Sequence, residues 1–283
     1  MRYPCQFLLH SLCLLALASC SSPTASAPAY PQNPAVSDAL GHPRDTTTFY
    51  FPAADSLHAK YLPKSKWPEV RYNTDVRLSN CAYELQFASY TLTYFDAPVL
   101  SNYYLGTDTY RFLWLRSFHR PVLLTLRKTP IGATLRTQLL DKSPCFVHVD
   151  VFPPTQLLQT ASPAESAQAI RRYNEAMADP EFQKEVAEGK RRAAQVKSEE
   201  STVLITPAQW EQFQALVKDS NFNSLPACQP DPGVLDGADW LLESHQPTSY
   251  HMVSRHSPDK SDSFRAACEY LIDLSSVRNE ERY

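Results

Sequence analysis

Positions 236–243 read D-G-A-D-W-L-L-E and positions 250–258 read Y-H-M-V-S-R-H-S-P, and these two runs hold the densest set of reactive side chains in the sequence. Asp236 or Glu243 has the chemistry of a general base, His251 or His256 that of a proton shuttle, and Arg255 that of an anion clamp. Trp240 and Tyr250 add aromatic binding surface. Such a set suits hydrolysis or acid–base work, yet no G-x-S-x-G, H-E-x-x-H or phosphate loop accompanies it. No reaction is therefore defined. A plainer set of roles serves the same residues: Asp236-Gly237 as a turn, Trp240 as core, Glu243 with Arg255 as an ion pair, and the histidines satisfied at a sheet rim. The plainer roles are the expectation, and no catalytic residue is assigned.

Arg111, Arg116, His119, Arg120 and Arg127 form a second group. Arg116, His119 and Arg120 are candidates for a binding surface. Arginines inside aromatic strands also pack over rings or pair with buried acids, and that is the expected role here.

The elements that position these residues are legible from periodicity. Segments 110–118, 122–127 and 133–140 are apolar-rich and separated by H-R-P and T-P-I-G turns, which predicts an antiparallel meander. The alternating run 145–152 is expected to extend it. Segments 238–243 and 250–256 predict a C-terminal hairpin. Its register decides whether His251 and Arg255 lie on the Trp240 side or beside Glu243. Amphipathic helices are expected over 78–94 and 261–274, and another follows the T-P-A-Q capping box at 206–209. Residues 38–76 read as an irregular lead-in that wraps the surface. Residues 163–198 shift to Ala, Glu, Gln, Lys and Arg, with Asp179-Pro180 dividing two helices. The fold class expected is α+β: one antiparallel sheet, meander plus hairpin, covered by helices in a single domain over 38–283, with a helical insertion at about 160–200.

The first twenty residues carry Arg2, an apolar run from Phe7 to Leu17, and L-A-S-C at 17–20. This stretch resembles the signal peptide and lipobox of bacterial lipoproteins, which implies removal of residues 1–19, acylation of Cys20 and anchorage in a membrane without a spanning helix. Ser21 and Ser22 carry no acidic signal. The expected location is the cell envelope, facing the periplasm from the outer membrane, on a flexible tether over 20–37. Four cysteines remain beyond Cys20: Cys81, Cys145, Cys228 and Cys268. An export compartment lets them form disulfides, in any of three pairings, and their spacings match no zinc site.

Net charge is −3, from 27 basic and 30 acidic residues, and becomes −4 when Arg2 leaves with the leader. That balance argues against a general nucleic-acid partner. The pieces Y-R-F-L-W-L-R-S-F-H-R-P-V, T-P-A-Q-W, D-G-A-D-W-L-L-E and Y-H-M-V-S-R-H-S-P, in that order over 79–275, resemble a widespread family of uncharacterised bacterial proteins. The resemblance implies one continuous domain and no activity. The function expected is a non-catalytic envelope protein that binds another protein or ligand, with no cofactor and no metal. A hydrolase-like enzyme using the 236–256 surface is one alternative, and an inhibitor or immunity-type protein is another.

Overall fold

A computed structural model describes residues 29–46, 48–52, 74–144, 179–229 and 236–283, together with scattered helical positions between 167 and 178. The leader, Cys20 and the expected 145–152 strand lie outside the described residues. At the centre is a six-stranded, fully antiparallel sheet in the order β4-β3-β2-β1-β5-β6. Its strands are β1 (Thr109–Arg116), β2 (Val122–Thr129), β3 (Gly132–Leu140), β4 (Ser198–Ile205), β5 (Ala238–Gln246) and β6 (Ser249–His256). The helices are α1 (Thr74–Tyr94), α2 (Pro180–Ala193), α3 (Pro207–Asp219) and α4 (Ser263–Leu274). The expected α+β class, meander and hairpin are all present. The meander runs β1 to β3, β4 adds to its outer edge after α2, and the hairpin docks on the free edge of β1.

β1 is buried along its whole length. Both faces of a central strand must then find apolar partners. Tyr110, Phe112 and Trp114 join Trp240, Leu242 and Val253 under α3 and α4, whose Phe213, Val217, Phe264, Ala267, Leu271 and Ile272 complete that layer. Leu113 and Leu115 point the other way, to Leu85, Ala88 and Leu92 of α1 and to Tyr50 and Phe51 of the lead-in. The spacing Leu85, Ala88, Leu92 is one face of a helix. α1 starts four residues earlier than its pattern suggests and runs through Thr91 and Thr93. These β-branched residues do not end it, because their hydroxyls donate to the carbonyls of Phe87 (2.9 Å) and Tyr90 (2.6 Å).

α3 begins where the capping box predicts. The Gln209 amide donates to Thr206 Oγ1, and the Gln209 side chain accepts from the Thr206 amide at 2.9 Å. Asp179 accepts from the Glu181 amide at 3.0 Å and starts α2. α4 is shorter than expected because Asp262, whose side chain accepts from the Phe264 amide, is its cap. Strand β4 was not legible as a strand: its first half, S-E-E-S, is exposed edge and shows no apolar alternation. Only T-V-L-I before Pro207 carried a β signal.

Removal of a ring from this core should be costly while removal of an exposed one should not. Phe112→Ala is expected to lower unfolding free energy by about 3–5 kcal/mol. Phe118→Ala, on the exposed β1–β2 turn, should change it by less than about 0.5 kcal/mol. Urea titration followed by circular dichroism compares the two.

Candidate functional site

On the β1–β5 strand pair, Arg111 stands directly opposite Glu243. Their side chains meet on the α1 side of the sheet as a bidentate pair. Arg111 Nη2 donates to Glu243 Oε1 at 2.8 Å, and Arg111 Nε donates to Oε2. Arg111 Nη1 donates to the Pro98 carbonyl at 2.5 Å, and the Tyr250 hydroxyl donates to Glu243 Oε1 at 2.8 Å. Tyr50 lays its ring 5.8 Å from the guanidinium. Arg111 is 1% exposed and Glu243 0%. Burial, and then the Glu243 carboxylate, push the Tyr250 phenol well above its usual range. Both oxygens of Glu243 are occupied and out of reach of solvent, so its role is to hold β1, β5 and β6 together.

Register separates the other candidates. Trp240 lies opposite Arg255, Leu242 opposite Val253 and Ser244 opposite His251, all on the α3/α4 side. The expected Glu243–Arg255 ion pair does not form, because side chains alternate faces and this register puts the two on opposite sides of the sheet. Arg255 donates instead to the carbonyls of Pro226 (2.9 Å) and Ser254 (2.7 Å). His251 packs its ring against Phe222 at 5.1 Å. Trp240 is core, 5.5 Å from Phe112 and 5.4 Å from Trp114, with the Arg265 guanidinium 5.0 Å from its ring.

His256 finds a partner that the residue types alone did not single out. Asp239 opposes it across the hairpin, and Nδ1 lies 2.8 Å from the carboxylate. Nε2 lies 3.3 Å from the Asp236 carbonyl. Two acceptors facing two ring nitrogens favour the imidazolium, and the bond to Asp239 raises the His256 pKa above its ordinary value. Asp236 contributes its backbone, while its side chain is not drawn into the pair. Gly237 closes the corner: a Cβ there would come within 2.2 Å of Ser257 Oγ and 2.7 Å of His256 Nε2, at φ 150°. His256 is thus a clamped rim residue.

His245 was missed because a histidine inside an alternating strand gives no sign of its partners. It is fully buried. Nδ1 is 2.8 Å from the Leu100 carbonyl, and Nε2 accepts from the Leu105 amide at 2.9 Å. Those bonds define the neutral Nδ1–H tautomer, and burial lowers the pKa. Tyr104 stacks on the ring at 5.1 Å and Tyr30 meets it edge-on at 5.2 Å.

The second group takes the packing role. Arg116 lies 4.1 Å over the Trp114 ring and donates to Glu280 at 2.9 Å. Arg120 reaches the same carboxylate at 3.4 Å, and His119 Nδ1 is 3.0 Å from the Tyr283 hydroxyl. Arg127 is exposed on β2. Among the cysteines, Cys228 is disulfide-bonded and Cys268 is a buried free thiol. Two bridges among the four are therefore ruled out, and burial pushes the Cys268 thiol well up.

Among the described residues no group of three or more His, Cys, Asp or Glu side chains is arranged to hold a metal ion. Compared with known proteins, the chain matches no family model, no curated protein and no solved structure.

Two measurements test this geometry. Glu243→Gln leaves Arg111 buried without its counter-charge and should cost about 3–5 kcal/mol of stability, while Arg111→Met combined with Glu243→Leu should recover much of that loss. Denaturant unfolding of the three chains checks it. The two histidines should also act on stability with opposite signs. His256, raised, adds stability that is complete below about pH 6.5 and is lost as pH rises through its folded pKa. His245, lowered, adds stability that is complete above about pH 6.5 and is lost as pH falls through its folded pKa. Ring nitrogen NMR should find His256 still an imidazolium above that pH and His245 still neutral below it.

Proposed function

We propose that this chain is a lipid-anchored protein of the bacterial cell envelope, held through an acylated Cys20 and facing the periplasm. In this reading it works by binding another envelope component and not by catalysis. The observation that carries the non-catalytic part is the dispersal of the reactive side chains. Glu243 is saturated by Arg111 and Tyr250, Arg255 lies on the opposite face, and His256 is clamped between Asp239 and the Asp236 carbonyl. A general base needs a free lone pair within reach of substrate, and Glu243 offers none.

Two features support the location. The leader has the layout that directs acylation of a cysteine. The disulfide at Cys228 is the chemistry of an oxidising compartment. Among the described residues no helix is long and apolar enough to cross a membrane. Anchorage would then fall to the acyl chains, each buried methylene contributing roughly 0.8 kcal/mol.

Metabolic labelling with a fatty acid decides the anchor. The wild-type chain should take up label and partition with membranes, and Cys20→Ala should do neither. A purified native chain that begins at Met1 and carries no lipid mass refutes the location. For the binding role, cross-linking in intact envelopes should yield one discrete adduct, formed equally by wild type and by His256→Gln.

A further inference from the structure

Tyr30 fixes where the chain enters the folded domain. Its hydroxyl donates to the carbonyls of Gln246 (2.6 Å) and Ser249 (2.9 Å), which flank the β5–β6 turn, and the side chain is buried. The entry point is therefore one end of the sheet. Thr109 pairs with both His245 and Arg127, so β1 starts and β2 and β5 finish at this same end. Gly132 pairs with Thr129 and Ala133 with Ile205, so the β2–β3 turn and the last residues of β4 belong to it too. Call this end the Tyr30 pole.

Two of the most exposed large apolar side chains sit on that pole: Ile131, 83% exposed at the β2–β3 turn, and Leu204, 80% exposed near the end of β4. Lys128, on the same pole, is exposed and lies 3.9 Å from the Asp108 carboxylate. Strands lie about 4.8 Å apart, which puts the Ile131 turn about 12 Å along the pole from β5. The Ile131 turn is built to stay where it is. Gly132, at φ 148°, packs so close to β4 that a Cβ would fall 2.4 Å from the Ile205 carbonyl oxygen. The opposite pole carries Phe118, Arg116 and the C-terminal residues.

Chain length then limits the orientation. Ten peptide units separate Cys20 from Tyr30. Fully stretched, ten units reach about 35 Å. A flexible chain of that length has a root-mean-square span of about 17 Å. Strands of eight residues are about 26 Å long. The typical reach is shorter than the sheet, so the end nearest Tyr30 is the end held at the surface. Exposed apolar side chains such as Ile131 and Leu204 are suited to that position, at the acyl boundary.

We infer that the Tyr30 pole rests on the phospholipid surface in which the Cys20 anchor sits, with Ile131 and Leu204 in contact with lipid and the Phe118 pole directed away. The inference rests on the acylated Cys20 proposed above. It assigns the face that is closed to a soluble partner and the face that is open to one.

The test uses the full acylated chain in vesicles of phosphatidylethanolamine and phosphatidylglycerol. An environment-sensitive fluorophore is attached at Ile131→Cys in one chain and at Phe118→Cys in another, both exposed positions whose substitution leaves the core intact. Wild type treated with the same reagent supplies the background. Spin-labelled lipids should quench the fluorophore at 131 at least threefold more than the one at 118, with a blue-shifted emission at 131 alone. Equal quenching, or stronger quenching at 118, overturns the orientation. Flotation and intact mass separate the two levels. A chain that floats with its acyl mass but leaves 131 unquenched refutes only the orientation, whereas a chain that neither floats nor carries acyl mass refutes the anchor and the orientation together.

Discussion

The contact on which the rest of the molecule depends is the buried pairing of Arg111 with Glu243. The two are 132 positions apart in sequence and directly opposite in the sheet. Ionised groups that deep in a protein are tolerated only when charge and hydrogen bonds are both satisfied. Here the guanidinium is shared between a carboxylate and the Pro98 carbonyl, and the carboxylate is shared between Arg111 and Tyr250. Those requirements tie four parts of the chain together: the meander, the hairpin, the segment after α1 and, through the Tyr50 ring, the lead-in.

One consequence is register. Sliding β5 by one residue along β1 would move Glu243 to the α3/α4 side, leave Arg111 unpaired on the α1 side, and turn Trp240 and Leu242 out of their layer. Apolar alternation alone penalises such a slip, and a buried charge pair penalises it more steeply. The hairpin is thereby locked to the centre of the sheet, with Trp240 beside Phe112 and Trp114 on one side and Leu241 beside Leu113 on the other. Polar pins repeat the device at the ends. His245 and Tyr30 tie the loop after α1 and the entering chain to one pole, and Asp239 with His256 closes the other.

A protein built this way uses its titratable groups to hold itself together. The same histidines, acids and arginines that look like a reactive surface when written in a row are distributed over two faces and two ends once folded. Among the described residues, the exposed surface includes turns, the β4 edge and the C-terminal residues around Arg116 and Arg120.

Much of the architecture was legible in sequence because it follows from short-range rules. Apolar runs bounded by turns marked β1, β2 and β3, alternating runs marked the hairpin, a capping box marked the start of α3, and Asp179-Pro180 marked the start of α2. Strand β4 escaped because an edge strand need not alternate, and the length of α1 escaped because threonine hydroxyls can bond back within a helix. Residue types singled out Glu243, Arg255 and His256 on the hairpin, but not their partners. Glu243 was matched to Arg255, three pairing positions away in the hairpin's own ladder and on the opposite face, when its true partner lies on β1. The order of elements, the faces of the strands and the supply of buried charges are properties of the chain read locally. Which charge meets which depends on how a hairpin of the last fifty residues docks on a strand more than a hundred residues earlier, and that is decided by packing and by the cost of leaving any buried charge alone.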